Sequence, residues 1–447
     1  MKFLLWLFIL TAFFPNAVTA KDKLPNREER IFALSEIWKE LHYGFAFPET
    51  LTKVNIDSLY MAYLPKIENA KDYYVYFRTL SSFMAHFNDA HTRIYASDRP
   101  DDIPPINLTN IGERIIVNNV AKNKSGLIPI GSEILSINNI PVLRYIRDSV
   151  YQYISASTVH WKFDKAVTEM LYGERDAKVA LKLKTPTGTE KEVVLVRNYN
   201  SSKIKEEMVN AVTLSPIQMK IIDGDIGYIK LNSFSGAYID TIKAVFNQKI
   251  SQLRKCKGLI FDIRGNRGGT DEAWEDIASY LIPQSKFQVP VKCFSRKCVP
   301  IYKIWGEYDP RFKDFYNETS MEEIHYSPYI NKIVDTLKLI KPLVVISGQY
   351  VGSAAEDFLM LIKKSTQAEI VGEPSVGCMG EPMFIKIPGN LTVMICAKKY
   401  ITQDGTQPNE TGILPDIQVK RDYNAYLKGE DNVLECALEV VKKRIMK

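Results

Sequence analysis

Apolar residues recur at helical spacing between Glu28 and Phe87. Ile31, Leu34, Ile37, Trp38 and Leu41 make one stripe, and Tyr73, Tyr76, Phe77, Leu80 and Phe83 another. Aromatic stripes of this kind bury against a core, so the spacing predicts an N-terminal helical region. Pro-rich Asp98 to Pro105 reads as a linker, and from about Ile106 to Asn200 the pattern shortens into strands with one helix. From Met219 onward strand and helix periods alternate. Asp223-Gly224 is hairpin-turn chemistry, Tyr228 to Leu231 a strand, and Tyr238 to Leu253 an amphipathic helix. A buried strand, Leu259 to Ile263, precedes a helix from Glu272 to Leu281. A second buried strand, Leu343 to Ile346, precedes a helix carrying Phe358, Leu361 and Ile362. Ile385 to Ile387 and Leu391 to Ala397 read as a hairpin, and Val433 to Ile445 as the final helix. Repeated strand–helix units argue a multidomain α/β protein with a layered core.

The ends and the composition refine this picture. Lys2, the apolar run Phe3 to Phe14 and Val18-Thr19-Ala20 before Lys21 form a secretory signal peptide with a small-residue cleavage site. An uncleaved anchor is the alternative, but the run is short for a span. The expectation is an exported protein, periplasmic or extracellular, with no integral membrane span after signal cleavage. The chain of 447 residues has room for two or three cores. It divides into a signal peptide (1–20), an N-terminal helical region (21–105), a strand-rich domain (106–200) and a catalytic domain (201–447). The net charge of +6 is spread out without a basic block, which argues against a nucleic-acid partner. Six cysteines, none in a C-x-x-C pair, give no metal site, and nothing calls for a cofactor. Cys293 and Cys298 flank a Phe-Ser-Arg-Lys segment, read as a turn; they either bridge locally or stand as two free thiols on neighbouring strands. Residues Pro283 to Pro328 lack a clear period and read as an insertion, either a wall over a cleft or a surface hairpin.

Candidate chemistry lies at two strand ends. After Leu343 to Ile346 comes a Gly-bearing turn and then Gly352-Ser353-Ala354-Ala355-Glu356. A serine at a helix N-terminus sits where free N–H groups favour developing negative charge. The same residues also spell an S-x-x-E capping box, so Ser353 can equally be a cap. Upstream, Asp262-Ile-Arg264-Gly265-Asn266-Arg267-Gly268-Gly269 is a strand running into a Gly-rich turn, whose amides can approach an anion closely.

Taken with Val371-Gly372-Glu373 and Gly412-Ile-Leu-Pro415-Asp416-Ile, these motifs resemble the tail-specific (C-terminal processing) protease and tricorn core protease family of serine peptidases. The resemblance is closer to the tricorn-like branch. Tail-specific members carry a general-base Lys about 25 residues after the nucleophile, and here Cys378 stands in that place. The resemblance implies a crotonase-like ββα-spiral catalytic core. It implies a PDZ-like domain at 106–200, where Ile130-Gly-Ser-Glu-Ile-Leu-Ser-Ile-Asn138-Asn139 is similar to the G-x-E-I-x-x-I-N-G hairpin. That domain either takes a peptide on its edge or only packs against the core.

For the site, the resemblance implies Ser353 as nucleophile and His91, within Asn88-Asp89-Ala90-His91-Thr92, as general base. His86, one helical turn earlier, is then either a packing residue or partly exposed. Ala90 replaces a Ser that orients the base in the tricorn core protease, leaving Asp89 or a backbone carbonyl for that role. The oxyanion hole would use the amides of Ala354 and of Gly268 or Gly269. Glu410 is the candidate fourth member, with Asn409 at the family's usual spacing. Asp262, Arg264 and Asn266 would brace the Gly turn. The implied activity is hydrolysis of peptide bonds in a polypeptide or peptide substrate. Two other classes share the fold: a catalytically inactive ligand- or peptide-binding protein, similar to the retinoid-binding repeats of the photoreceptor matrix, and an acyl-CoA enzyme. Export and the lack of a purine-binding signature argue against the second. Cys378 as nucleophile is a further alternative, testable with iodoacetamide.

Overall fold

The computed structural model describes residues 23–96, 98–200, 207–210, 215–298, 309–313 and 316–447. The signal-peptide reading of 1–20 lies outside the described residues. The N-terminal region is four helices: Arg27–Gly44, Pro48–Val54, Ile56–Glu68 and Tyr73–Ala85. Their starts follow capping rules. Asn26 and Glu29 form a reciprocal box, Pro48 takes the first helical position, and Asp72 accepts from the Val75 amide. The stripe residues Leu34, Ile37, Leu41, Tyr76 and Phe83 are buried together with Val393 and Ile395 from near the other end of the chain. Strand Arg93–Ala96 cements this union by pairing antiparallel with Leu391–Cys396, Arg93 lying opposite Met394.

Residues 106–196 form an antiparallel sheet in the order Ile106–Ile111, Arg114–Val120, Glu133–Ile137, Lys178–Lys184 and Glu190–Val196. Its hairpin after Ile137 turns on Asn138 and Asn139, at φ 49° and 65°, a left-handed pair that Asn tolerates. Ile134, Val117, Leu181 and Val167 fill a core of its own. The Pro-rich stretch is not a free linker: Asp102 bridges Gly173 and Ile103 bridges Tyr199, and both side chains are buried.

The C-terminal half is built on a six-stranded sheet in the order Ile417–Gln418, Glu369–Gly372, Leu343–Ser347, Gly258–Asp262, Ile226–Leu231 and Ile217–Ile222. Its strands run parallel except Ile217–Ile222, the first arm of the Asp223-Gly224 hairpin. Central strands are buried on both faces, which explains their unbroken apolar runs. Leu259 and Phe261 face the helices Ile239–Lys255, Glu272–Leu281 and Ala354–Ser365, while Ile260, Val344 and Ile346 pack on Asn432–Ile445. Both catalytic-candidate turns leave the carboxyl ends of the two adjacent strands Gly258–Asp262 and Leu343–Ser347.

Part of the insertion is a strand, Val291–Cys298, paired with Tyr316–Ile324 and Lys398–Thr402. This corrects the expected turn between the two cysteines. Cys293 and Cys298 sit on one strand, five residues apart, roughly 16 Å along the backbone at the usual rise. A local bridge is therefore out of reach, and Cys293 is a free, buried thiol.

Candidate active site

Ser353 occupies a backbone conformation that side chains avoid. Its φ is 56° and ψ −133°, just ahead of helix Ala354–Ser365. Such geometry costs about 1–3 kcal/mol and persists only when its surroundings enforce it. The enforcement is visible. The Ser353 amide donates to the Cys378 carbonyl at 3.1 Å and to Glu356 Oε2 at 3.0 Å. The S-x-x-E spacing thus does form the expected box, with Glu356 reaching back to the Ser353 amide.

Glu356 does more than cap. Its fully buried carboxylate also accepts from Ser375 Oγ at 2.5 Å, the Gly377 amide at 2.7 Å and the Cys378 amide at 2.8 Å. Burial pushes this carboxyl up to about 7, against the pull of those donors. One side chain therefore ties the Ser353 turn to the loop 375–378.

The Gly-rich turn lies directly against Ser353. A Cβ on Gly268 would stand 2.7 Å from Ser353 Cβ and 2.5 Å from the Gly352 carbonyl oxygen, and Gly268 has φ +90°. No other residue fits there. The Gly268 amide is already engaged, donating to Asn266 Oδ1 at 2.9 Å. The amides of Gly269 and Ala354 carry no hydrogen bond among the described residues, and Gly269 is exposed. Of the two glycine candidates, Gly269 is thus the one with a free donor. Asn266, completely buried, also accepts from the Gly352 amide at 3.3 Å.

Asp262 and Arg264 brace the same turn. Arg264 donates to Asp262 Oδ1 at 3.0 Å and Oδ2 at 2.7 Å, and forks onto Asp431 at 2.8 and 2.7 Å. Tyr228 OH donates to Asp262 Oδ2 at 2.7 Å. Against its burial, Arg264 and Tyr228 hold Asp262 below the usual carboxylate range.

His91 is buried, and its Nδ1 has no hydrogen-bond partner. Burial, helped by Arg93, lowers it to about 3, and the Gly380 backbone is the group that favours its charged form. It is therefore a neutral imidazole. Asp89 does not orient it: that carboxylate accepts from Thr92 Oγ1 at 2.7 Å and Ser157 Oγ at 3.4 Å. Thr92 Oγ1 accepts the Cys396 amide at 3.2 Å, fastening the His91 segment to the C-terminal hairpin. His91 and Ser353 thus abut the same loop, Ser353 at Cys378 and His91 at Gly380, and no hydrogen bond joins them directly. His86 is exposed, with its Nε2 3.0 Å from Tyr63 OH.

Glu410 and Asn409 face opposite ways. On the short helix Pro408–Thr411 Glu410 is exposed, whereas Asn409 is buried and donates to the Met379 carbonyl at 3.1 Å. Asn409 also acts on Asp89, favouring its charged form. The inward residue at this position is Asn409. Cys378 has the profile of an inert thiol, since burial pushes it well above its ordinary value. Among the described residues there is no His/Cys/Asp/Glu cluster able to hold a metal.

Glu356, Arg93 and the engaged state of the Gly268 amide were not found from the sequence. Glu356 carried a signal, its place in the capping box, but its partners at 375–378 come from the fold.

Residues 225–419 match peptidase family S41. This segment of the chain belongs to that family. The chain is 24% identical over 251 residues to carboxy-terminal processing protease CtpA of Bacillus subtilis, covering 53% of this chain and 46% of that protein. A carboxyl-terminal-processing protease of a Picosynechococcus strain is 22% identical over 362 residues, covering 78% of this chain and 74% of that one. The chain spans about half the length of CtpA and of the related CtpB of Bacillus subtilis. Among solved structures, mature CPAF superposes with a TM-score of 0.69 at 14% identity, covering 93% of this chain and 98% of that one. The S41 match contains Ser353, Gly268, Gly269 and Glu410; His91 lies outside it.

Proposed function

We propose that this chain is an exported serine peptidase that hydrolyses peptide bonds in polypeptide substrates. The observation that carries the reading is the Ser353 turn: a strained serine at a helix N-terminus, pressed against Gly268, with the free amides of Ala354 and Gly269 beside it. Ser353 Oγ attacks the scissile carbonyl, and His91 takes its proton. The two free amides receive the oxyanion as the tetrahedral centre forms. The imidazolium then returns its proton to the leaving amine, and water repeats the cycle on the acyl-enzyme. His91 starts neutral, the form able to accept, and its unpartnered Nδ1 leaves a nitrogen uncommitted.

We read the antiparallel sheet of 106–196 as the PDZ-like domain, and the parallel sheet with its flanking helices as the crotonase-like core. The leader-like residues 1–20 support export. The relatives' name, carboxy-terminal processing, makes the C-terminal part of a polypeptide the first substrate to try. The test is a fluorophosphonate probe with a tail-bearing reporter polypeptide. Labelling and cleavage by the wild type, both absent in Ser353→Ala, are expected. A folded wild type that neither labels nor cleaves would overturn the reading.

A further inference from the structure

Helix Val159–Glu169 belongs to the strand-rich domain, yet the residues at its start reach both halves of the catalytic pair. Ser157 Oγ accepts the amide of Ala90, the residue before His91, at 2.9 Å and donates to Asp89 at 3.4 Å. Thr158 is the N-cap. Its Oγ1 accepts the Trp161 amide at 3.3 Å and donates to the Val376 carbonyl at 3.0 Å. His160 Nε2 lies 2.7 Å from the Ser375 carbonyl, which can only accept, so this nitrogen carries the proton. The same nitrogen is 3.2 Å from Thr158 Oγ1, so the two side chains steady each other.

The packing runs the same way. Ala90, Val376 and Cys378 are buried in one core with Trp161, Val167 and Leu181 of the strand-rich domain. Thr158 also fits closely against the loop: a Cβ on Gly377, whose φ is +76°, would stand 2.8 Å from Thr158 Cγ2. Loop 375–378 is therefore held from two sides. Glu356 takes its donors, the Ser375 hydroxyl and the amides of Gly377 and Cys378. Thr158 and His160 supply its acceptors, and the carbonyls of Val376 and Ser375 have no other donor among the described residues. The loop hands this hold on to the nucleophile, since the Cys378 carbonyl accepts the Ser353 amide at 3.1 Å.

No hydrogen bond joins Ser353 to His91, so their alignment is set by what holds each of them. The stretch 157–160 holds the His91 segment on one side and the Ser353 loop on the other. Resting on the peptidase reading above, we propose that Ser157, Thr158 and His160 are positioning residues, through which the strand-rich domain sets the placement of Ser353 relative to His91. They act through the backbone of 89–91 and 375–378 and not on the reacting atoms. Their loss should slow the chemical step and leave substrate binding nearly intact, because a misplacement of about 1 Å costs on the order of a hundredfold in rate.

The test compares Ser157→Ala, Thr158→Val and His160→Phe with the wild-type chain. Thr158→Ser and His160→Gln keep a donor at the same place and serve as rescues. Val179→Ala, on strand Lys178–Lys184 of the same core, controls for lost stability. At a temperature where every variant is folded, kcat and the fluorophosphonate labelling rate should fall about 10- to 100-fold in Thr158→Val and His160→Phe, and severalfold in Ser157→Ala, with KM within about threefold. Both rescues should recover most of the rate, and Val179→Ala should lower the melting temperature while keeping kcat. Amide hydrogen exchange gives a readout free of activity: it should quicken at 375–380 in Thr158→Val and His160→Phe, and not in Val179→Ala. If the three donor-lacking variants keep kcat within about twofold of the wild type, or lose it only as far as Val179→Ala does, the proposal is overturned. If a folded wild type neither labels nor cleaves, the peptidase reading fails by itself, and exchange at 375–380 still decides whether these side chains hold the loop.

Discussion

Gly268 and Ser353 are in such close contact that a methyl group on the glycine would stand 2.7 Å from the serine Cβ. Real Cβ contacts do not reach that distance, and the positive φ of Gly268 penalises a side chain independently. Gly268→Ala must therefore push the turn away from Ser353 and drag the neighbouring Gly269 amide with it. Losing one oxyanion donor costs about a hundredfold or more in kcat. Gly268→Ala should fall at least that far, with weakened fluorophosphonate labelling and little change in far-UV circular dichroism.

The strain at Ser353 yields a prediction of opposite sign for stability. Glycine adopts φ 56°, ψ −133° without a Cβ penalty, whereas alanine keeps the penalty of serine. Both Ser353→Gly and Ser353→Ala should be inactive. The glycine variant should nonetheless be the more stable of the two by about 1 kcal/mol, read as a higher melting temperature. Equal or reversed melting temperatures would remove the claim that the nucleophile is held under strain.

Glu356 collects four donors on one carboxylate, from Ser353, Ser375, Gly377 and Cys378. A Gln of the same shape must turn an NH2 group toward two of them. Leaving two buried donors unpaired costs about 2–4 kcal/mol. Glu356→Gln should lower the melting temperature, and it should also lower kcat, since the Ser353 amide loses one of its two holds. A variant as active and as stable as the wild type would mean that the loop 375–378 holds its shape without this carboxylate.

The parts of this fold that a single chain segment determines were legible in the sequence. The Asp223-Gly224 hairpin, the buried runs at 259–263 and 343–346 and the helix after Ser353 each follow from local turn chemistry or periodicity. The parts that need two segments were not. A period of two identifies Arg93–Ala96 as a strand but says nothing of its pairing with Leu391–Cys396, which brings His91 to the C-terminal loop. Nor does the order Ser157-Thr158-Val159-His160 reveal that its side chains reach both Ala90 and the loop 375–378.

The burial of His91 sets the expected response to acid. Its pKa is lowered from the ordinary 6.5 to about 3, so the unfolded chain takes up a proton before the folded one does. Stability therefore falls as pH drops from about 6.5, and the loss is complete near 3, amounting to something on the order of 5 kcal/mol from this group. His91→Gln should flatten that part of the curve in urea unfolding across pH 4 to 7. In activity the base stays in its accepting form throughout, so no fall in kcat/KM should arise from His91 between pH 7 and 5. A wild-type profile that loses activity with an apparent pKa near 6.5, in a protein still folded, would mean that the imidazole is not held neutral.

The last prediction separates the neighbours Asn409 and Glu410. They occupy a four-residue helix that opens on Pro408, and a step of one residue on a helix turns a side chain by about 100°. Asn409 points inward, donating to the Met379 carbonyl at 3.1 Å and supporting Asp89, which lies two residues before His91. Glu410 is exposed, and among the described residues its carboxylate makes no hydrogen bond. Glu410→Gln should leave kcat/KM within about twofold of the wild type, as surface changes usually do. Asn409→Ala leaves the buried Met379 carbonyl with only the weak Cys396 Sγ donor at 3.6 Å, at about 1 kcal/mol or more. It should lower kcat about tenfold or more by loosening the segment between Cys378 and Gly380, to which both Ser353 and His91 are attached. A steep loss in Glu410→Gln with Asn409→Ala unharmed would reverse the assignment and require the short helix to rotate when substrate binds.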